Sequence, residues 1–520
     1  MARSLISLTP WKNRAAGDLF TLALNAEVEH TQRLTEYRKY WRFYKGKHWD
    51  WERGDDDPVV TINHCRNFVD EHGQFTFGKG FKVKIPDDPA TPAKEDEDRE
   101  FVRLALEENW RRNNQRLFCI EMGQMGSVTG DVFLRTSWEE SDGDKEPYVR
   151  VDVLPSRFVF PSLGGPFGVD GKKMESCMVV FPRFDSGEEI MYGIKSLTRS
   201  QRKRVKVYIE HWFKDRVLIY DGTEQAEIRP NPLGEIPIIH IPNYPTAGEF
   251  YGRSDLVDLT TMNQEFNEKC TDISDTINYQ GSPVTVVKGA RLKDLERGAN
   301  RIWGIPPEAE VKNLELGTSL SASMDYLRMV KTSMHEMSGI PEDLKTTTAT
   351  SGVALAMKYY PMLGRRNVKL LTYGPGLEDV NRLVLKILSL KDNEFGSKTS
   401  KLKGDKYRNE VVFPNPLPRD EAVELDKSGK RLELGLSTVR RELEREGLSQ
   451  AEIEKILTDK QEEKLEQADI EFKVGQKFMT PEDLYKERQT NRSGNPDPDR
   501  SNPDIRGENR SSSATPQISN

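Results

Sequence analysis

Phe250–Asn278 reads FYGRSDLVDLTTMNQEFNEKCTDISDTIN, and its periodicity decides how the rest of the chain is parsed. Leu259, Met262, Phe266, Cys270, Ile273 and Ile277 recur at three- and four-residue steps, which places them on one narrow face of a 3.6-residue helix. Asp258, Glu265, Glu268, Asp272 and Asp275 follow the same spacing about half a turn away, with only Arg253 and Lys269 as nearby cations. The apolar stripe must pack on other helices, and the carboxylates must face water or a partner. A solvated face on an ordinary surface helix accounts for the same pattern.

Downstream, Gly281 and Pro283 stop the helix, and the β-branched run Val284–Val287 reads as a strand. Arg291–Arg297 fits one or two helical turns, Arg301–Ile305 a second strand and Glu310–Leu314 a third. From Ser319 the pattern is helical again, with Leu320, Met324, Leu327, Val330 and Met334 on its apolar side. The chain has gone out along one helix, made a small tip domain and come back along another.

After Gly339 and Pro341 the polar stretch EDLKTTTATSG (342–352) lacks apolar periodicity and reads as an exposed loop. Thr350 or Ser351 then caps a helix carrying Val353, Met357, Tyr360, Val368 and Leu371. Pro361 should kink this helix, and Gly374-Pro375-Gly376 should break it.

The N-terminal half alternates helices and strands. LTEYRKYWRFY (34–44) is an aromatic helix whose Tyr37, Tyr40, Trp41 and Tyr44 suit core packing better than base stacking. GDVFLRTSW (130–138) and YVRVDVL (148–154) form a hairpin around ESDGDKEP (140–147). VKVYIEHWF, RVLIYDG and IPIIHIP are expected to make a second sheet.

Toward the C-terminus, LSTVRRELEREG (436–447) and LSQAEIEKILTDKQEEKLEQADIEF (448–472) are charged helices suited to an exposed bundle or subunit contacts. From about Arg488 the polar, proline-rich sequence is expected to stay unfolded.

Composition bounds the function. At 520 residues the chain holds roughly three or four domain-sized units. Its 31% charged residues and mean hydropathy of −0.70 describe extensive polar surface, with no apolar run near the roughly 20 residues that span a bilayer. MARSLISLTPWKNRAAG lacks the long apolar core of a signal peptide. Cys65, Cys119, Cys177 and Cys270 are far apart in apolar patterns and read as reduced thiols. A net charge of −7 argues against tight general DNA binding and is compatible with a wall along which DNA slides.

Several strings imitate chemistry. Gly73–Gly80, GQFTFGKG, nearly matches a nucleotide-binding P-loop. Gly80 stands where the magnesium-ligating hydroxyl belongs, and a helix precedes the turn instead of a strand. His64, Cys65 and His72 lack a fourth metal ligand at a recognisable spacing. Asp142, Asp144 and Glu146 begin like a calcium loop but lack its later glycine and terminal glutamate. No G-x-S-x-G elbow or separable carboxylate pair is present. No catalytic residue, cofactor or metal is therefore expected.

Four stretches taken in order are similar to one family, the portal (head-tail connector) proteins of tailed bacteriophages: INHCRNFVDEHGQFTFGKGFKVKI (62–85), the helix at 250–278, SGVALAMKYYPM (351–362) and VVFPNPLPRDEAVELD (411–426). The resemblance implies an α+β fold. An N-terminal arm and mixed α/β wing would span 1–251, stem helix 1 252–280, a small α/β clip 281–318 and stem helix 2 319–338. A tunnel loop at 339–350 would lead into a long kinked helix returning to the wing at 351–414, a helical crown at 415–487 and a tail at 488–520.

The resemblance further implies a non-enzymatic homo-oligomeric ring, usually of twelve copies, at one capsid vertex of the virion after assembly in the host cytoplasm. Double-stranded DNA would pass through its channel. The terminase large subunit and then neck or adaptor proteins would dock on it, and the major capsid protein and scaffolding protein would surround it, with no membrane.

On that resemblance Asp258, Glu265, Glu268, Asp272 and Asp275 would line the channel, and Leu259, Met262, Phe266, Ile273 and Ile277 would pack subunits together. Lys345, Thr346, Thr347 and Thr348 would approach DNA, although Glu342 and Asp343 weaken a tight grip. Arg291, Lys293, Arg297, Arg301 and Trp303 would serve docking at the clip. The alternatives are a helical scaffold or adaptor protein, and a nucleotide-dependent DNA-processing enzyme built on Gly73–Gly80.

Overall fold

The computed structural model describes residues 19–49, 59–86, 94–140, 146–164, 174–184, 198–202, 204–221, 227–281, 285–288, 307, 310–313, 320–342, 356–392, 395–397, 407–417, 421–446 and 450–478. The chain divides into two compact units, Met1–Pro418 and Arg419–Asn520. The first mixes helices and sheets, and the second is helical in its described residues.

The first unit opens with α1 (Leu19–Glu29) and α2 (Thr31–Tyr44). On α2 the spacing of Tyr37, Tyr40, Phe43 and Tyr44 buries one aromatic face, while Trp41 is half-buried at its edge. α3 (His64–Phe77) starts at Asn63, whose side-chain oxygen accepts the Arg66 N–H at 2.9 Å and so satisfies one orphan donor. It ends in a glycine turn leading to β1 (Lys82–Lys84). The order across Gly73–Gly80 is therefore helix, turn, strand, the reverse of a nucleotide P-loop.

α4 (Lys94–Arg112) and α5 (Gln115–Thr129) follow, then β2 (Asp131–Glu139) and β3 (Tyr148–Leu154) as an antiparallel hairpin. A 3-10 turn at Ser156–Phe158 leads to β4 (Val159–Leu163), β5 (Met174–Phe184), the short α6 (Arg199–Arg202), β6 (Val205–Trp212), β7 (Arg216–Asp221), β8 (Glu227–Pro230) and β9 (Ile238–Pro242). Strands β4 to β8 make one antiparallel sheet in sequence order.

IPIIHIP departs from expectation here. Its strand β9 leaves that sheet and pairs with β2, Val132 opposite Ile241 and Phe133 opposite His240. The start of β2 is buried on both faces, so its second edge needs a partner that keeps its backbone groups bonded. The exposed EIRP of β8 takes the sheet edge instead.

α7 (Leu259–Gly281) begins after a run of turns at Asp255–Asp258, so Asp258 precedes the regular helix. β10 (Thr285–Lys288) and β11 (Glu310–Asn313) pair antiparallel, and α8 (Leu320–Ser338) returns along α7. The middle strand expected at Arg301–Ile305 lies outside the described residues.

α9 (Tyr360–Lys391) runs unbroken through Gly374-Pro375-Gly376, which overturns the expected break. A proline inside a helix costs about 3 kcal/mol. Tyr373, Leu377, Val380 and Val384 offset this by packing into the largest core, and Pro375 itself faces solvent. Gly376 lets Ile241 approach so closely that an added Cβ would meet its side chain at 2.5 Å. The expected kink at Pro361 appears as an interruption at Tyr359, after which Pro361 occupies the first turn, where no N–H is needed. β12 (Glu410–Val412) then pairs with β1.

One core joins α4, α5 and α9 to β2 and β3 around Trp110, Met122, Leu134 and Tyr373, with the Trp110 indole N–H bonded to Asn381 at 2.7 Å. A second joins α2, α3, α7 and α8. Two smaller ones fill the spaces between α1, α2 and the larger sheet, and between the two sheets. Burial pushes the thiols of Cys65, Cys119 and Cys177 up to about 12, so they are not thiolates at neutral pH.

In the second unit α10 (Glu421–Glu433), α11 (Val439–Glu446) and α12 (Gln450–Phe478) follow one another. Glu442 accepts from Ser428 at 2.9 Å and pairs with Arg445 at 2.7 Å, tying α10 to α11.

Candidate functional site

The α7–α8 pair shows three faces where the sequence displayed two. Leu259, Phe266 and Ile273 are buried among Tyr40, Phe43 and Phe68 on one side and Leu327, Val330 and Met334 on the other, with Met262 and Cys270 packed beside them. Burying each large apolar side chain contributes about 1.5–3 kcal/mol. The stripe expected to pack subunits, Leu259, Met262, Phe266 and Ile273, lies against α2, α3 and α8 of the same chain. Only Ile277 stands open, at 54% exposure.

The acidic side is outward but partly engaged. Asp258 pairs with Arg253 at 3.3 Å and Asp272 with Lys269 at 2.9 Å. Glu265 accepts from the Tyr326 hydroxyl at 3.3 Å, and Glu268 accepts from Gln264 at 3.0 Å. Asp258, Asp272 and Asp275 are exposed, whereas Glu265 and Glu268 are half-buried. Exposed pairs of this kind contribute about 0–1 kcal/mol and leave the carboxylates available to a mobile counter-charge.

The third face is polar and buried. Asn263, Asn267 and Thr271 repeat every four residues, and each grips the extended segment before α3. Asn263 accepts from the Cys65 N–H at 3.1 Å and donates to the Ile62 carbonyl at 2.9 Å. Asn267 accepts from the Ile62 N–H at 2.9 Å and bonds His48 at 2.7 Å, while Thr271 accepts from the Val60 N–H at 3.1 Å.

Below α7 the turns close on a buried charged joint. Lys369 of α9 donates to Asp255 at 2.6 Å and to Ser127 at the end of α5 at 3.1 Å. Asn243 donates to the other Asp255 oxygen at 3.1 Å and accepts from Tyr373 at 3.1 Å. Gly130 belongs to the same joint, because an added Cβ would meet the Gly252 carbonyl at 2.6 Å. Burial alone would raise the Asp255 carboxyl, but the Lys369 ammonium outweighs it and holds it below the usual range.

Nearby, His72 of α3 bonds the Ser338 carbonyl at the end of α8 at 2.7 Å. Burial, and then Lys369, pushes its imidazole down to about 4. Both helices of the hairpin are thus anchored at the base, α7 through Asp255 and α8 through Ser338.

A second buried network holds α2, β2 and β9 to the same point. Asp131 accepts from Tyr37, from His240 at 2.7 Å and from the Gly252 N–H at 2.8 Å. Just beyond α8, Glu342 pairs with Lys331 at 2.9 Å and accepts from Thr332 at 3.1 Å. Lys345, Thr346, Thr347 and Thr348, and the expected docking residues Arg291, Lys293, Arg297, Arg301 and Trp303, lie outside the described residues.

The metal-like triplet is dispersed: His64 stacks on Phe68 and meets Phe266 edge-on, and His72 is taken by Ser338. Among the described residues no group of three or more His, Cys, Asp or Glu is placed to hold a metal ion.

Among the described residues the site is a helix hairpin closed by a β-ribbon, resting on two sheets and bound at its base to a long helix. A family profile described as "Phage portal protein, SPP1 Gp6-like" matches residues 26–466. The chain belongs to this phage portal protein family. No curated protein sequence matches it. Family membership implies an oligomeric, capsid-associated assembly for this portal chain. No described helix is long and apolar enough to cross a membrane.

Sequence reasoning missed the Asn263–Asn267–Thr271 face and the Asp255–Lys369 joint of the portal chain. The four-residue repeat of Asn, Asn and Thr was a legible signal for the first, whereas nothing in the sequence links Asp255 to Lys369.

Proposed function

We propose that this portal chain forms a ring around an axial channel at one capsid vertex, through which double-stranded DNA is packaged and later ejected. The reading takes the α7–α8 hairpin as channel wall, because its base is fixed by Asp255, Lys369, His72 and Ser338 while Asp258, Asp272 and Asp275 stay exposed. That combination of a rigid footing and an open acidic face is the observation that carries it. Acidic walls repel the phosphate backbone and give a sliding duplex no sticking point.

On this reading the β10–β11 end of the hairpin receives the terminase large subunit and then neck proteins, with Arg291, Lys293, Arg297, Arg301 and Trp303 as docking residues. Lys345 and Thr346–Thr348 approach the DNA, and Asp343 and Glu342 temper that contact. Capsid and scaffolding proteins surround the ring, and the chain itself performs no catalysis.

Electron microscopy of the purified protein tests the ring: closed particles with a central hole are expected, and a monomer or dimer would favour a scaffold or adaptor. Replacing Glu265, Glu268 and Asp272 together with lysine should leave rings intact and slow packaging; normal packaging would sink the channel-wall assignment. Deleting Thr346–Thr348 should spare rings and impair packaging, and loss of rings would make that loop a subunit contact.

A further inference from the structure

The first half of α9 is built inside out. Arg366 and Lys369 lie on its buried side, while Tyr360, Gly364, Asn367, Val368, Leu371 and Pro375 face solvent along one stripe. Tyr360 is 76% exposed, Leu371 73% and Val368 41%, and Met357 in the preceding turn extends the stripe at 73%. The stripe carries no charge, in a chain whose residues are 31% charged. Scattered apolar residues on a surface need no explanation, but a contiguous uncharged face over four helical turns marks a contact.

Gly364 is an independent sign. Glycine weakens a helix interior, so it persists where a side chain would be in the way. Its φ is not positive, and a Cβ added there would meet nothing within 4 Å. Among the described residues nothing packs on this glycine, whereas a second backbone approaching the stripe would give it a use.

We propose that this face of α9 is a subunit contact, covered in the assembled oligomer by a second copy of the same chain, with Gly364 at the closest approach. The identity of the occupant rests on the ring reading and on the oligomeric nature of the family; the face itself does not. A ring repeats one head-to-tail contact, so the stripe meets a different, apolar surface of the next copy and not its own counterpart.

The test uses the full-length chain in sedimentation velocity and native mass spectrometry. Leu371→Glu and Gly364→Leu should each raise the concentration needed for assembly at least tenfold, while the dissociated protein melts no lower than wild type. Leu390→Glu, at an exposed position near the other end of α9, should assemble normally.

A photoreactive benzoylphenylalanine at position 371 should link to a peptide of a neighbouring copy in the ring and lose that product on dissociation. This arm holds even where a substitution disturbs folding. Rings of wild-type strength in both face variants would overturn the contact, as would a photoproduct within one chain that survives dissociation. Wild-type protein that stays monomeric at every concentration would sink the contact and the ring reading together; rings in wild type and in both variants would sink the contact alone.

Discussion

A buried ammonium and carboxylate hold each other in place, and removing either strands the other. For Lys369 and Asp255, both nearly inaccessible, Lys369→Met should cost about 3–5 kcal/mol by leaving Asp255 charged and unpaired. The double variant Lys369→Met/Asp255→Leu should recover more than half of that, because burying neither charge is cheap compared with burying one. Chemical denaturation measures both; a double variant that loses the sum of the single losses would show that the two side chains act separately. Such a joint was invisible beforehand, since the partners lie 114 positions apart and Lys369 sits in a helical pattern like any surface lysine. The aromatic face of α2 was legible because Tyr37, Tyr40 and Tyr44 repeat at helical spacing, which needs no knowledge of distant contacts.

Elements were readable where periodicity alone decides and unreadable where tertiary packing outvotes local rules. The hairpin β2–β3, the paired helices α7 and α8 and the β-ribbon between them follow from spacing and glycine or proline stops. The run through Gly374-Pro375-Gly376 does not, because its cost is offset by Ile241 filling the space above Gly376. Gly376→Ala should therefore destabilise the protein by about 1–3 kcal/mol through overpacking, and Ile241→Val in the same chain should return part of it. An alanine variant as stable as wild type would mean that this seat is not tight. The polar stripe of α7 went unread for a different reason: the repeat of Asn263, Asn267 and Thr271 marks a face, but only the segment at Val60–Cys65 lying on it shows what that face holds. Asn267→Leu would strand the Ile62 N–H and the His48 ring, at about 1–3 kcal/mol. Amide exchange at Ile62 should speed up in that variant, and an unchanged rate would remove Asn267 from the clamp.

At the scale of the molecule, histidines set the acid limit and the core layout sets what can be removed. Burial holds His64, His72 and His211 down to about 4, so each stays neutral in the folded chain while its unfolded counterpart takes a proton near 6.5. The unfolded state then binds more protons between those values, and stability is full above about pH 6.5 and falls as pH drops toward 4. Thermal melts should trace that decline, with a shallower slope in His72→Gln, whose amide still reaches the Ser338 carbonyl. A flat profile from pH 7 to 4.5 would contradict the burial of these rings. The four hydrophobic clusters draw all their described buried residues from positions up to Phe395, with Tyr407, Val411 and Phe413 at the margin of one. The second unit, beginning at Arg419, is compact by itself. A chain ending at Pro418 should therefore keep the near-ultraviolet signature of Trp110 and Tyr373 packing and melt where the first transition of the full chain does. Loss of that signature would show that the first unit does not hold its core when made alone.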